Sequence, residues 1–537
     1  MNKKYFINRK AFAISILGLL LTANSCKKFT DLQPNNAFAE TTAFTTPERV
    51  NLAVTGVYSA AQSSPYTDGS NRGYPFGAAN TEQGDMRGED MIAVPSFYAI
   101  TYEASYDANT ANNTGMWTSL FALINRANVV IEGVKDASAS GVVPAQVATR
   151  AEAECRFLRA LAYHELMVHF ALPYNATADA SHLGVPLRLV PVNSPARVEE
   201  EKDKKRNTVK ECYTQILADL DFAETNLAPR AAGTSISITR ATPGAAVALK
   251  TRVKLHMGDW AGVIAEGTKL GTAGAGPNFT SPLGAYALTA APSGPFASAT
   301  AGLANSESIF SIEHATTRNA GTNGSISTMY SPPPGRGLIA VSPILYNAPF
   351  FTAGDLRRTT LMTATTRTYF TNKYKDPATF TDPNPIIRYA EVLLNAAEAY
   401  SRTNNIAQGL LLLNAVRNRA VTNVADRFTT APAALTQAIL NERRIEFLAE
   451  GRRWADIHRL VLDPNFSTGG IPAKASFAAA TFATYSTTTP YPTTTAARPV
   501  LAVPYTGAAN SYKFIWPIPV IETSANPALA AQQNPGY

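Results

Sequence analysis

Three pairs of helical segments, each joined by a turn of a few residues, limit this chain to a narrow range of folds. They occupy residues 242–271, 386–420 and 432–462. The first pair turns at Met257-Gly258-Asp259, and the next helix opens directly after it. Paired helices of about fifteen residues with tight turns are typical of tetratricopeptide-like scaffolds. The sequence therefore predicts an all-α, or mainly α, fold: a tetratricopeptide-like helical-pair scaffold with large loop-rich insertions.

Further helices are predicted outside these pairs. One begins at Pro47, a residue suited to a first helical turn, and places Val50, Val54 and Val57 on one face. Others are predicted at residues 117–133, 145–170 and 208–227. These segments have the apolar spacing of helices that bury one face.

Between the helices lie segments rich in Gly, Thr and Pro, at about 63–114, 272–385 and 463–537. They contain short strand-like runs such as "SIFSIEH" and are interpreted as ordered loops on the scaffold. We therefore expect one domain over residues 47–537, with the helical scaffold at about 47–271 and 386–462.

The N-terminus has the build of a bacterial lipoprotein leader. A basic start and an apolar run of eleven residues precede "TANSC", which ends at Cys26. The run is too short to cross a bilayer, which favours a cleaved signal peptide. We predict a signal peptide at 1–25, lipidation of Cys26 and a tether at 26–46, so that the chain is anchored to a membrane without crossing it. The alternative is an ordinary signal peptide with an incidental cysteine.

Composition and charge exclude two classes of protein. Hydrophobic residues make up 45% and charged residues 16% of the chain, which is ordinary for a folded protein and not for a disordered one. The formal charge of +7 falls to +3 when the four basic residues of the leader are removed. Such a mild balance does not indicate nucleic acid as a partner.

The two cysteines of the mature chain beyond Cys26 are interpreted as core residues. Cys155 shares an apolar stripe with Leu158, and Cys212 shares one with Ile216. A disulfide between them is compatible with an oxidising compartment, but spacing alone does not decide it.

No motif indicates a catalytic or metal site. "HELMVH" resembles a zinc-protease helix, but His164 and His169 are five residues apart and not four, which turns them away from one metal. We expect these histidines at a helix surface and a helix end. No phosphate loop, nucleophile elbow or paired C-x-x-C is found, so neither a cofactor nor enzyme activity is expected. A hydrolase with two well-placed carboxylates stays open as an alternative.

The stretch at 441–460, "NERRIEFLAEGRRWADIHRL", has the highest density of charge. On helices its apolar residues turn inward, Ile445, Leu448, Trp454 and Ile457 among them. The charges are predicted to pair along the outside, as Arg443 with Glu446, Arg452 with Asp456 and Asp456 with Arg459. Exposed pairs are too weak to explain so many arginines, so some are expected between helices. The stretch is interpreted as scaffold, not as an active site.

Several characteristic segments follow one another along the chain: "WTSLFALINRAN", "AEAECRFLRALAYHELMVHFALPY", "ATPGAAVALKTRVKLHMGDWAG", "RYAEVLLNAAEAY", "LNAVRNRA", "ERRIEFLAEGRRWADIHR", "WPIP" and the terminal "QNPGY". In this order they resemble the SusD/RagB family of nutrient-binding lipoproteins of Bacteroidota. The resemblance covers essentially the whole chain and implies a tetratricopeptide-containing fold, an outer-membrane lipid anchor and a SusC-like TonB-dependent transporter as partner. It also implies capture of oligosaccharides, or of peptides in some members, without catalysis.

One feature departs from that family. Its members often carry acidic residues soon after the lipidated cysteine, where this chain has Lys27 and Lys28. An outward-facing lipoprotein is expected, and inward display stays open.

Candidate ligand-binding residues are sought among aromatic side chains that the scaffold does not require. Sugar rings stack on aromatic planes, and planar polar groups bind their hydroxyls. All four tryptophans lie in scaffold motifs, so Tyr and Phe of the loops are favoured, while Phe76, Tyr102 and Tyr106 are interpreted as packing. The candidates, from the loop after the first helix and from "STMYSPPPGRG", are Tyr66, Tyr74, Asn80, Arg87, Phe97, Tyr98, Tyr330 and Arg336. For each of them, packing of the loop onto the scaffold is the alternative.

Overall fold

The computed structural model describes residues 40–63, 72–94, 97–230 and 236–537. Its α-helices, in chain order, are α1 (Glu40–Ala43), α2 (Pro47–Gln62), α3 (Ala78–Met86), α4 (Ala99–Tyr102), α5 (Ala111–Ala139), α6 (Ala145–Phe170), α7 (Pro195–Glu201), α8 (Val209–Asn226), α9 (Ile236–Thr239), α10 (Pro243–Met257), α11 (Trp260–Lys269), α12 (Ala299–Leu303), α13 (Ile326–Tyr330), α14 (Pro343–Tyr346), α15 (Arg357–Thr360), α16 (Tyr389–Arg402), α17 (Ile406–Arg417), α18 (Leu435–Glu446), α19 (Arg452–Leu460), α20 (Val520–Thr523) and α21 (Pro527–Ala530). The predicted signal peptide, Cys26 and Tyr66 lie outside the described residues.

The strands are short and pair in twos, all antiparallel. They are β1 (Met91–Ala93), β2 (Ser308–Ile312), β3 (Ile339–Val341), β4 (Met362–Ala364), β5 (Tyr369–Thr371), β6 (Asn384–Arg388), β7 (Gly470–Ile471) and β8 (Val503–Pro504). The pairs are β1 with β3, β2 with β6, β4 with β5 and β7 with β8. The mainly α fold predicted from the sequence is confirmed, and β2 lies in the run predicted to be strand-like.

The helical pairs have the predicted turns. Between α10 and α11, Gly258 adopts a left-handed conformation with φ of 72°. Asp259 then caps α11, because its Oδ1 accepts a hydrogen bond from the Gly262 N–H at 2.8 Å. The α16–α17 turn follows the same plan, with Asn404 at a φ of 62° and the Asn405 side chain capping α17. Before α19, Gly451 is left-handed but makes no side-chain cap. Among the single helices, α2 and α6 coincide with their predicted ranges, whereas α5 extends beyond both ends of 117–133.

Two apolar clusters organise the described chain. The larger one joins α2, α5, α6, α8, α10 and α16, and contains Trp117, Trp454 and Trp516. The second lies in the loop-rich part and contains residues of β1, β3, α13 and α14. The predicted loop at 63–114 is therefore ordered in its described part, where it holds α3, β1 and α4. No helix in the described ranges combines the length and apolarity needed to cross a membrane.

The charged stretch at 441–460 is buried, which corrects the expectation that its charges line an outer surface. Asp456 accepts from Nε of Arg443 and from Nε of Arg459, each at 2.8 Å. The predicted Asp456–Arg459 pair is present, but Arg443 bonds Asp456 instead of Glu446, and Arg452 lies 3.7 Å from Glu165. The reason is that other elements cover α18 and α19 on both sides, so the charges pair between segments. The apolar residues predicted to turn inward are buried.

Glu446 is the centre of a buried ionic network. It accepts from Arg357 at 2.9 Å, from Arg388 at 2.9 Å and from Arg419 at 2.6 Å. Although burial favours the neutral acid, these guanidinium groups hold the pKa of Glu446 well below its usual range. The network joins α18 to the end of β6, to α15 and to the segment after α17.

The same stretch also holds the loop-rich part against the scaffold. Arg453 bonds both oxygens of Glu89, at 2.6 and 3.0 Å, and Arg444 bonds Asp90. Glycine is required at Gly84, since a side chain there would collide with the backbone of the α18–α19 turn. The segment that leads into β1 is therefore fixed to the scaffold by charge pairs and close backbone contact.

The cysteines and histidines are buried. Cys155 and Cys212 are free thiols, and each is fully buried, as expected of core residues. His164 is 1% and His169 2% exposed, so the expectation that His164 lies at a helix surface is wrong. Burial lowers the pKa of both imidazoles well below its usual value, because the helix packs on all sides.

Candidate functional site

The β1–β3 ladder brings two of the predicted candidates together. Ala93, the last residue of β1, pairs with Ile339, the first of β3, and the Val94 N–H extends the ladder by donating to the Leu338 carbonyl at 2.9 Å. In an antiparallel pair the end of one strand lies beside the start of the other. The residues that follow β1 and precede β3, which include Phe97 and Arg336, are therefore neighbours.

Phe97 is an exposed aromatic ring between two arginines. Its relative exposure is 38%. The guanidinium carbon of Arg336 lies 5.3 Å, and that of Arg72 5.6 Å, from the ring centroid. Nη1 of Arg336 donates to Asn323 Oδ1 at 2.6 Å. We call Phe97, Arg72, Arg336 and Asn323 the Phe97 platform.

A buried tyrosine and a buried acid lie behind this platform. Tyr98 is 3% exposed and its ring centroid is 6.1 Å from that of Phe97. Burial raises the pKa of Glu82 to about 8, although the nearby Tyr98 hydroxyl and Arg336 favour its charged form. The Glu82 carboxyl group is therefore neutral at neutral pH, and it does not neutralise the positive charge of Arg72 and Arg336.

Two other candidates, Tyr74 and Tyr330, lie in the core. Tyr330 is fully buried and its hydroxyl donates to Asp85 Oδ2 at 2.6 Å. Tyr74 is 2% exposed, and its hydroxyl accepts from Gln83 at 2.9 Å. These groups bond within the protein, so we omit Tyr74 and Tyr330 from the site proposed below.

Arg87 is also a core residue. Its guanidinium carbon lies 3.5 Å from the ring centroid of Trp454, and it donates to the Phe514 carbonyl. Burial lowers the pKa of Arg87 to about 10. Both ring and backbone partners are internal, so we omit Arg87 as well. Asn80 is half-buried on α3, with Nδ2 3.8 Å from the sulfur of Met116, and it has no recorded contact with the platform.

Arg72, Asn323 and Glu82 belong to this region, but none of them was among the candidates predicted from the sequence. No motif marks them, because the platform joins segments more than two hundred residues apart in the chain. The β1–β3 pairing that creates it has no local signature.

The arrangement suits reversible binding of a polar ligand with apolar faces. It offers aromatic surface with N–H donors beside it, which is a combination that orients hydroxyl-bearing rings. Within the described residues, no group of three or more His, Cys, Asp or Glu side chains is arranged to hold a metal ion.

Two family models match this chain. One, described as "SusD family", matches residues 354–537, and the other, described as "Starch-binding associating with outer membrane", matches residues 28–255. A SusD-like protein of Bacteroides ovatus is 26% identical over 261 residues, which are 48% of this chain and 41% of that relative. The match thus spans less than half of the relative's length.

Solved structures share the fold over nearly the whole chain. A SusD superfamily protein from Bacteroides fragilis is 25% identical, with a TM-score of 0.71, covering 91% of this chain and 99% of that one. The surface glycan-binding protein A from Bacteroides uniformis is 19% identical, with a TM-score of 0.66, covering 91% and 99%. The second similarity concerns the fold alone.

Proposed function

Because this chain belongs to the SusD/RagB family, we propose that it is an outer-membrane lipoprotein that binds oligosaccharides and delivers them to a SusC-like TonB-dependent transporter. Binding occurs at the Phe97 platform and is reversible, since the cargo is passed on. The protein itself performs no catalysis.

The observation that carries this proposal is the exposed ring of Phe97 beside two guanidinium groups. Among the predicted aromatic candidates that the structure describes, Phe97 alone is exposed, whereas Tyr74, Tyr98 and Tyr330 are buried. Aromatic surface of this kind packs against the C–H face of a sugar ring, and the arginines and Asn323 bind hydroxyl groups. The ionic contacts of Glu89 and Asp90 hold this surface in place.

The location is supported by the leader and by the family description. Residues 1–25 have the pattern of a lipoprotein signal peptide that ends before Cys26, and one matching model is described as associating with the outer membrane. A single anchor at Cys26, with the folded domain facing the exterior, places the platform where a transporter can receive its cargo.

The ligand is tested by a glycan panel on the purified lipoprotein in mild detergent. We expect at least one class of neutral or acidic oligosaccharide to bind reversibly and to be recovered unchanged after prolonged incubation. Cleavage of the bound glycan would identify a hydrolase instead, and selective binding of peptides would identify a peptide-binding member of the family.

The partner is tested by affinity purification of the tagged protein from native membranes. A TonB-dependent transporter should co-purify in mild detergent and be identified by mass spectrometry. Recovery of the lipoprotein alone under conditions that preserve other membrane complexes would contradict delivery to a transporter.

A further inference from the structure

A groove beside α2 includes residues at the start of the loop that carries Asn323. It has a volume of about 260 Å³ and is lined by α2, by the end of α9 with Arg240, and by residues 312–318. We call it the α2 groove. Nothing in the site described above uses these residues, and all the lining residues named below are in the described part of the chain.

Gln62 joins α2 to residues 313–318 along the groove. Its side chain is 5% exposed, and Nε2 donates to the backbone carbonyls of Glu313 at 2.6 Å and Arg318 at 3.2 Å. These bonds fix the amide plane. Oε1 is buried and has no hydrogen-bond partner among the described residues. Gln62 is therefore part of the groove wall, and the exposed carboxylate of Glu313 is the acceptor that a ligand in the groove can reach.

Two arginines supply donors on the groove walls. The guanidinium carbon of Arg240 lies 4.6 Å from the ring centroid of Tyr58. Its Nη1 donates to Glu154 and its Nη2 donates to Thr55, each at 3.0 Å. Arg318 bonds Ser59 Oγ through Nε at 3.0 Å. Within the described residues, no hydrogen bond is recorded for the Nη atoms of Arg318, which is exposed.

The charges of the groove nearly cancel. Arg240 is paired with Glu154, and the exposed carboxylate of Glu313 on the same wall offsets the charge of Arg318. The groove thus has planar hydrogen-bonding groups beside an aromatic ring and little net charge. Such a surface suits a neutral polyhydroxylated ligand better than an anion.

The groove and the Phe97 platform lie at two ends of one loop. Asn323 lies five positions after Arg318 in the chain, so their Cα atoms are at most roughly 18 Å apart. The loop is fixed near the platform, since Gly324 accepts a hydrogen bond from the Ala78 N–H at 3.0 Å and lies against Gly73. The separation is short enough for one extended ligand to reach both.

We propose that the α2 groove is a second saccharide subsite, so that the ligand is an extended, neutral glycan that occupies the Phe97 platform and the groove together. This rests on the proposed function. The groove hydrogen-bonds sugar hydroxyls through the carboxylate of Glu313 and the Nη atoms of Arg318. Long oligosaccharides therefore gain affinity that short ones do not.

The test compares disaccharides with heptasaccharides of neutral malto-, xylo- and manno-oligosaccharides, titrated into the purified lipoprotein by calorimetry. For the glycan that binds, we expect the heptasaccharide to bind at least about tenfold more tightly than the disaccharide. Arg318→Ala should remove most of that advantage and leave disaccharide binding unchanged. Arg197→Ala, at a partly exposed arginine of α7, is the control and should behave as the natural protein.

A second groove variant distinguishes loss of binding from loss of folding. Glu313→Ala removes an exposed carboxylate that accepts from sugar hydroxyls in the groove, and only the Glu313 backbone contacts Gln62. The variant should therefore also lower the preference for the long glycan at an unchanged melting temperature. Equal affinity for both lengths, or a length preference that survives both groove variants, would overturn the subsite. If no glycan of either length binds, the proposed function itself fails.

Discussion

Arg453 on α19 donates to both carboxylate oxygens of Glu89, from Nη2 at 2.6 Å and from Nε at 3.0 Å. This bidentate pair connects the scaffold with the segment that enters β1, and Phe97 lies a few residues beyond that strand. The arginine-rich stretch at 441–460 thus has no catalytic role in this account. It holds the loop-rich part in the position that presents the platform.

Removing Glu89 should destabilise the protein strongly. The buried carboxylate lies between Arg453 and Arg444, so Glu89→Ala removes both short hydrogen bonds of Arg453 and leaves Arg444 with Asp90 alone. Breaking a buried pair in this way costs about 3–5 kcal/mol, measured by urea unfolding. Glu199→Ala, which removes an exposed pair with Lys202, should cost less than about 1 kcal/mol. Similar losses in the two variants would contradict the role given to Glu89.

The scaffold could be predicted from the sequence because its signals are local. Apolar spacing and capping residues placed α2 and α6 correctly, and Gly258 with Asp259 marked the first tight turn. The burial of Arg443 and Asp456 could not be predicted in the same way. That burial depends on which segments cover α18 and α19, and the residue pattern of the stretch itself does not indicate those segments.

The candidate site was predictable only in part, for a related reason. Phe97 and Arg336 were chosen for their residue types, and the β1–β3 ladder brings them together. Tyr74 and Arg87 have the same residue types in the same loop, yet they fill the core. Composition shows which side chains can bind a ligand, whereas long-range packing decides which of them face solvent.

Glu82 should make stability fall as pH rises. Its pKa is about 8 in the folded protein and 4.5 without the fold, so between these values the unfolded chain loses a proton that the folded chain keeps. Stability is therefore highest below pH 4.5 for this group and declines toward pH 8. Glu82→Gln removes the ionisable group, and the variant should gain stability relative to the natural protein as pH rises. Unfolding curves across this range check it, and a difference independent of pH would argue against a neutral Glu82.

The two core cysteines should be unreactive in the folded protein. Burial raises the pKa of Cys212 to about 12 and also raises that of Cys155, so neither thiolate is available at neutral pH. A maleimide should label neither one under native conditions, and should label both after unfolding without reductant. Labelling of neither after unfolding would indicate a disulfide.

Replacement of Cys26 should release the protein from the membrane. Lipidation at this residue is the proposed anchor, and Cys26→Ala removes the sulfur to which the lipid is attached. The variant should move to the soluble fraction after cell lysis, followed by immunoblotting. Cys155→Ala should stay in the membrane fraction. An unchanged membrane content of Cys26→Ala would refute lipid anchoring.

The affinity of Phe97→Ala for the bound glycan, compared with that of Phe482→Ala, tests the central claim most directly. The two phenylalanines are 38% and 39% exposed, so they differ in location and not in accessibility. The platform account predicts that Phe97→Ala weakens binding by about tenfold or more, while Phe482→Ala binds as the natural protein and both keep its melting temperature. Undiminished binding by a folded Phe97→Ala variant would contradict the account.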